Sequence, residues 1–167
     1  MTLIRRQALR TLTAGGLLAV PGWLMLPTAR AAKAYAVSHP DAQWQALLTP
    51  EQYRVLRRAG TERARTSPLN HEQHAGVYAC AGCALPLFSS ATKFDSGTGW
   101  PSFWKPLPGA VEVGVDRSFG MRRNEMLCTR CGGHLGHVFD DGPPPTGLRY
   151  CMNGVAMTFT PGGAPAV

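Results

Sequence analysis

The sequence predicts a mainly β fold with two short helices attached at its N-terminal side. The chain has 167 residues, enough for one domain with its own core. Glycine (19) and proline (14) exceed average usage, which favours short strands and turns over long helices. From Gly76 onward, short apolar runs alternate with glycine and proline, as in a domain of many short strands. No internal repeat or heptad pattern is present, so repeat and coiled-coil architectures are excluded.

Residues 1–31 have the three parts of an export signal. A basic start containing Arg5 and Arg6 precedes an apolar run over 11–26 and a small-x-small cleavage site at 29–31. The paired arginines resemble a bacterial twin-arginine signal. We therefore expect a periplasmic or otherwise exported protein with no stable membrane association after cleavage. An uncleaved membrane anchor is the alternative.

The basic excess belongs mostly to this signal. Its removal takes away four arginines and no acidic residue, so the formal net charge falls from +7 to +3. The remainder holds only scattered pairs such as Arg57-Arg58 rather than a basic run. We therefore expect no nucleic-acid partner.

Two helices are predicted ahead of the strands. A flexible segment is expected over 32–43, and a short helix over 41–48. Thr49 is a helix cap with Gln52 completing a capping box. That second helix is expected to stop at Gly60 in a left-handed conformation.

Six strands are predicted in the rest of the domain, which is expected to extend over 44–160 and to leave a tail at 161–167. They cover 77–80, 85–89, 111–116, 121–128, 133–139 and 148–160, the last with a break near Gly154.

Four of the five cysteines form two Cys-x-x-Cys pairs, Cys80 with Cys83 and Cys128 with Cys131. Two such pairs have the spacing of a tetrahedral zinc site, and four thiolates leave no open position, so the metal would be structural. Because the chain is expected to be exported, disulfides are an alternative. A thioredoxin-type redox pair is another, although the βαβ context of that motif is missing.

Cys151 is the unpaired cysteine, in a predicted strand. Alternating side chains put Arg149, Cys151 and Asn153 on one face. A nearby positive charge favours the nucleophilic thiolate. The alternative is a buried free cysteine that packs as a small apolar residue.

Two further stretches carry candidate site residues. His134 and His137 would point to opposite faces of a regular strand, but a bulge at Gly136 would bring them together. Trp100 lies in a glycine-rich loop and is either the wall of an apolar pocket or part of the core.

Taken together, these motifs resemble the B-type peptide methionine sulfoxide reductases, which reduce the R epimer of methionine sulfoxide. The matching residues are the two cysteine pairs, Asp95-Ser96-Gly97, Gly99-Trp100-Pro101-Ser102-Phe103, the stretch HLGHVFDDGP at 134–143, and Arg149-Tyr150-Cys151 with Asn153. The resemblance extends over nearly all of the predicted domain.

This resemblance implies two antiparallel sheets with peripheral helices, and zinc on Cys80, Cys83, Cys128 and Cys131. It implies Cys151 as the nucleophile, with Arg149 supporting the thiolate. Trp100 and Phe139 would bind the substrate, Trp100 at its methyl group. His134, His137 and Asn153 would surround the sulfoxide oxygen.

One position departs from the resembled family. Many members carry a resolving cysteine directly before Gly99, where this chain has Thr98. We therefore expect the sulfenic acid on Cys151 to be reduced by an external thiol, of thioredoxin, glutaredoxin or small-molecule type. The substrate would be free or protein-bound methionine-R-sulfoxide. The alternative function is a zinc-ribbon-like binding module in which Cys151 is simply buried.

Overall fold

The computed structural model describes residues 33–116 and 123–163. The predicted export signal at 1–31 and most of the predicted tail lie outside them. Within the described residues, none of the helices combines the length and the apolar character needed to cross a bilayer.

Two helices precede the strands, as predicted: α1 at Asp41–Leu47 and α2 at Pro50–Arg58. The capping box of α2 is present, with the Thr49 hydroxyl accepting from the Gln52 backbone N–H at 3.2 Å and the Gln52 side chain accepting from the Thr49 N–H at 3.0 Å. The left-handed residue at the end of α2 is Ala59, with φ 50°, and not Gly60. Gly60 is still needed there, because a Cβ would lie 2.8 Å from the Arg54 carbonyl oxygen.

Nine strands follow among the described residues. They are β1 Gly76–Cys80, β2 Pro86–Ser89, β3 Lys93–Phe94, β4 Ser102–Phe103, β5 Val111–Asp116, β6 Arg123–Cys128, β7 His134–Phe139, β8 Arg149–Met152 and β9 Met157–Pro161. Seven correspond to the predicted strands, since the last prediction divides into β8 and β9 at the expected break. The two-residue strands β3 and β4 were not predicted, and residues 121 and 122 of the predicted fourth strand lie outside the described residues.

The strands form two antiparallel sheets, as the resemblance implied. The smaller has the order β2-β1-β9 and the larger β3-β4-β8-β7-β6-β5. A 3-10 turn at Gly154–Ala156 takes the chain from β8 in the larger sheet to β9 in the smaller. The break that the sequence places at Gly154 is therefore a crossing between sheets.

The core contains aromatic side chains from both sheets. Phe88 stacks on Phe103 with ring centroids 4.3 Å apart, and Tyr78 meets Phe103 edge-on at 4.9 Å. Helix α2 adds Val55 and Leu56, both buried. This packing fixes β4 and β1 in position, and those strands lead to the site described below.

The described part of the segment expected to be flexible, residues 33–43, contacts the strands. The Val37 N–H donates to the Arg130 carbonyl at 2.9 Å, and the Tyr35 hydroxyl donates to Glu112 at 2.7 Å. The Tyr35 ring occupies the space beside Gly132, where a Cβ would approach within 2.3 Å. The segment therefore packs on the domain ahead of helix α1.

Candidate active site

The four paired cysteines form one compact cluster. Their sulfur atoms all lie within 4.8 Å of one another, with Cys80 to Cys131 at 3.7 Å and Cys83 to Cys128 at 3.5 Å. A tetrahedral zinc with sulfur ligands at 2.3 Å requires sulfur atoms about 3.8 Å apart. A disulfide requires about 2.0 Å, and all four thiols are free. The donor set fits a tetrahedral metal ion and not a disulfide.

Two equivalent turns present these thiols. The Ala84 N–H donates to the Cys80 carbonyl, and the Gly132 N–H donates to the Cys128 carbonyl, each at 2.8 Å. Ala84 and Gly132 both have left-handed backbones, with φ of 55° and 67°. The first turn follows β1 and the second follows β6, so the cluster joins the two sheets.

Cys151 lies on β8 between two neighbouring strands, opposite Ser102 of β4 and His137 of β7. A cavity of about 130 Å³ opens beside it, and five of the predicted site residues line this cavity: Trp100, His137, Phe139, Cys151 and Asn153. A larger cavity of about 500 Å³ is lined by none of them. The structure thus brings five of the seven predicted catalytic and substrate-binding residues to one small cavity, whose lining does not include His134 or Arg149.

The two histidines lie together, and the bulge that allows this is at Leu135 rather than at the predicted Gly136. Met126 pairs with Gly136 and Leu127 with His134, so Leu135 is the extra residue of a bulge in β7. The ring centroids of His134 and His137 are 5.3 Å apart. A Cβ on Gly136 would lie 2.1 Å from the Cys151 carbonyl oxygen, so only glycine allows β7 and β8 to approach this closely.

His134 lies behind the cavity rather than in its wall. It is 4% exposed, and its Nδ1 is 2.7 Å from Glu125 Oε1. Its Nε2 has no hydrogen-bond partner among the described residues. The Glu125 carboxylate therefore orients this ring. Glu125 was not predicted, because an acidic residue in a strand gives no sequence signal of the histidine it meets.

Arg149 is held by two neighbours. Its Nε and Nη2 donate to the two carboxylate oxygens of Asp141, each at 2.8 Å, and its guanidinium lies 4.4 Å from the centre of the Phe139 ring. Asp141 therefore holds the guanidinium whose charge and hydrogen bonding also favour the Cys151 thiolate.

The surroundings of Cys151 favour its protonated form. Burial raises the pKa of Cys151, and this is offset only in part by hydrogen bonding with Thr98, Ser102 and Arg149 and by the charge of Arg149. Arg149 favours the thiolate, as expected, but burial outweighs it.

Asn153 and Trp100 are both tied to Glu62. Asn153 Oδ1 accepts from the Glu62 N–H at 2.8 Å, and Trp100 Nε1 donates to the Glu62 carbonyl at 3.2 Å. The Glu62 carboxylate accepts from the N–H groups of Gly154 at 2.6 Å and Val155 at 2.8 Å. Glu62 is buried and links the cavity wall to the turn after β8. Sequence reasoning missed it, since a single acidic residue in a loop carries no pattern.

A family model described as the SelR domain matches residues 48–161. The chain belongs to the SelR domain family. Curated relatives agree. The chain is 57% identical over 126 residues to the peptide methionine sulfoxide reductase MsrB of Agrobacterium fabrum, covering 75% of this chain and 93% of that protein. It is 59% identical over 122 residues to the protein of the same name from Thiobacillus denitrificans, covering 72% and 92%. It is 56% identical over 126 residues to that of Leptospira interrogans, covering 75% and 96%.

The SelR match includes both cysteine pairs and all the residues around the cavity. The binding-module alternative gains no support, because Cys151 lines a cavity instead of being enclosed in the core.

Proposed function

We propose that this SelR-family protein is a peptide-methionine (R)-S-oxide reductase that uses Cys151 as its nucleophile. The observation that carries the proposal is the cavity in which the Cys151 side chain meets an aromatic wall and a histidine. The names of the relatives, all peptide methionine sulfoxide reductases, support the same activity.

In the proposed reaction, the Cys151 sulfur attacks the sulfur of the sulfoxide, and the oxygen passes to the cysteine. A thiol and a sulfoxide give a sulfenic acid and a thioether, so no further reactant is needed in this half of the cycle. The proton that Cys151 gives up is the one that the leaving oxygen requires. A thiol as the resting form is therefore compatible with the chemistry.

The residues in the cavity wall indicate where the methyl group and the oxygen of the substrate would lie. Trp100 and Phe139 offer an apolar surface for the methyl group. His137 and Asn153, two polar residues of the cavity lining, are assigned to the sulfoxide oxygen. A site with separate methyl and oxygen positions accepts one configuration at sulfur.

His137, which lines the cavity, is assigned the transfer of the Cys151 proton to the sulfoxide oxygen. His134 is assigned the role of positioning His137, since it is buried against it and is itself oriented by Glu125. Histidine suits this step because its ordinary pKa lies near neutral pH.

Regeneration requires an external thiol. The position of the missing resolving cysteine is Thr98, whose hydroxyl lies 3.9 Å from the Cys151 sulfur, and the other four cysteines are held in the cluster. One external thiol would displace the sulfenic oxygen as water and form a mixed disulfide, and a second would release Cys151. A thioredoxin-like protein, a glutaredoxin-like protein or a small thiol fits this requirement.

Cys80, Cys83, Cys128 and Cys131 would hold one zinc ion. Four thiolate ligands leave no open coordination position, so the metal would stabilise the fold and take no part in the reaction.

The location of the enzyme rests on residues 1–31, whose basic, apolar and small-x-small parts support export to the periplasm. An exported enzyme with this activity would repair oxidised methionine outside the cytoplasm.

Turnover of each sulfoxide epimer, with a small thiol or a thioredoxin as donor, tests the function. Wild-type protein is expected to reduce only the R epimer, and Cys151→Ser is expected to be inactive with its fold intact. Full activity in Cys151→Ser would exclude the assigned nucleophile. Mass spectrometry after substrate treatment without reductant is expected to show one added oxygen on Cys151, whereas an internal disulfide would contradict the external-thiol route.

A further inference from the structure

Three hydroxyl groups connect the Cys151 sulfur to a backbone carbonyl. Thr98 Oγ1 lies 3.9 Å from the sulfur and 2.8 Å from Ser96 Oγ. Ser96 Oγ lies 2.7 Å from Ser102 Oγ, which donates to the Trp100 carbonyl oxygen at 3.1 Å. Ser102 is fully buried, and the other two hydroxyls are half-buried. This row of three hydroxyl groups is thus largely screened from competing water.

The number of hydroxyl hydrogens determines which group donates in each of these hydrogen bonds. Each hydroxyl donates once, and a carbonyl oxygen only accepts. Because Ser102 donates to the Trp100 carbonyl, Ser96 must donate to Ser102, and Thr98 must donate to Ser96. The remaining acceptor on Thr98 faces Cys151, which donates to it as a thiol. While Cys151 is protonated, the thiol and each of the three hydroxyl groups therefore donate one hydrogen bond.

We propose that Thr98, Ser96 and Ser102 form a reversible hydroxyl chain that turns its terminal donor onto the Cys151 sulfur when the thiol loses its proton. A thiolate only accepts hydrogen bonds, so the Thr98 hydroxyl rotates to donate to it. Ser96 then donates to Thr98, and Ser102 donates to Ser96 and releases the Trp100 carbonyl. No proton leaves the chain, and the change consists of three bond rotations.

The chain adds to the stabilisation of the thiolate that Arg149 provides. The guanidinium is engaged by Asp141 through two hydrogen bonds, while burial works against the charged form of Cys151. A hydroxyl donor aimed at the sulfur stabilises the thiolate without adding a charge to the cavity. In the reductase proposed above, on which this role in turnover rests, Thr98 is then a catalytic residue because it touches the reacting sulfur.

The ionisation of Cys151 tests the chain directly. The rate of alkylation by iodoacetamide, followed on the Cys151 peptide across pH in the full-length protein, gives the midpoint of thiol ionisation. Thr98→Val removes the hydroxyl at nearly constant shape and is expected to raise the midpoint by about one pH unit. Thr98→Ser keeps the hydroxyl and is expected to match wild type. Thr66→Val is the matched control, since the Thr66 hydroxyl donates to the Arg63 carbonyl, away from the sulfur.

A second variant separates a chain from a single hydrogen bond. Ser96→Ala leaves Thr98 in place and is expected to raise the midpoint by a smaller amount, because Thr98 loses the donor that polarises it. An unchanged midpoint in Thr98→Val, or a shift confined to Thr98→Val with none in Ser96→Ala, would overturn the chain. Alkylation needs no turnover. If wild-type protein reduced neither epimer, the proposed function would therefore be excluded. The pH profiles of alkylation would still test the hydroxyl chain.

Discussion

Replacing Glu62 by glutamine is expected to destabilise the domain and to loosen the cavity wall beside Cys151. The Glu62 carboxylate receives the N–H groups of Gly154 and Val155, at the turn that follows β8. Glutamine keeps one acceptor oxygen but points an NH₂ group at the other donor. One buried hydrogen bond is therefore lost and one N–H left unpaired.

The magnitude follows from the two bonds. A hydrogen bond to a charged group contributes about 1.5–3 kcal/mol. Burial raises the pKa of Glu62, because the buried site disfavours the charged carboxylate. At neutral pH this cost offsets part of the stabilisation that the two hydrogen bonds contribute. We therefore expect a loss of about 2 kcal/mol in Glu62→Gln, near the lower end of that range. Such a loss corresponds to a fall of roughly 8 °C in Tm for a domain of this size.

The pH dependence has a definite sign. A carboxyl whose pKa is raised in the folded state contributes stability below its ordinary pKa and loses it as pH rises through the folded value. The stability difference between wild type and Glu62→Gln is therefore expected to be larger below pH 4.5, the ordinary glutamate pKa, than at pH 7.

Urea and thermal unfolding of the metal-loaded proteins measure the effect. Glu51→Gln is the matched control, because Glu51 lines the same larger cavity but forms only an exposed ion pair with Arg54, and we expect it to lie within about 0.5 kcal/mol of wild type. In Glu62→Gln, kcat/KM is also expected to fall, since Trp100 and Asn153 hydrogen bond to the Glu62 backbone. Equal stability of Glu62→Gln and Glu51→Gln would refute the reasoning.

Three other outcomes are expected. In wild-type protein without substrate, alkylation of Cys151 should rise with pH through a midpoint above the ordinary cysteine pKa, because burial raises the pKa of this thiol, and a midpoint near pH 7 would contradict that balance. A strong chelator should remove about one zinc per chain and unfold the domain, as should Cys128→Ser, whereas a stable metal-free fold by circular dichroism would argue against a structural metal. Replacing Arg5 and Arg6 by lysine should block export and leave an uncleaved precursor on immunoblots, and unchanged export would exclude the twin-arginine route.

Local patterns explain which features the sequence could predict. The capping box at Thr49 depends on residues three apart, and each cysteine turn on residues three apart. The bulge beside Gly136 follows from two histidines of odd spacing and a glycine between them. Such features depend on residues only a few positions apart, so they can be predicted without knowledge of the fold.

Contacts between distant segments explain what could not be predicted. Glu62 meets residues 91 to 93 positions further along the chain, and no local pattern marks that pairing. Strands β3 and β4 have two residues each, too few to show alternation. Burial raises the pKa of Cys151 despite the nearby charge of Arg149, and the burial of a side chain cannot be read from its neighbours in the sequence.

The cysteine cluster and Glu62 act on the same piece of backbone, which links the structural metal site to the candidate active site. The turn at Gly154–Ala156 lies between Cys151 and β9. Glu62 holds its first two N–H groups, and the Ala81 N–H, between the first two cysteines of the cluster, donates to the Ala156 carbonyl at 2.9 Å. Cys80 also pairs with Met157 at the start of β9. Because both supports fix one turn, their losses should be non-additive: once the cluster is disrupted, Glu62→Gln should cost less than in the intact protein.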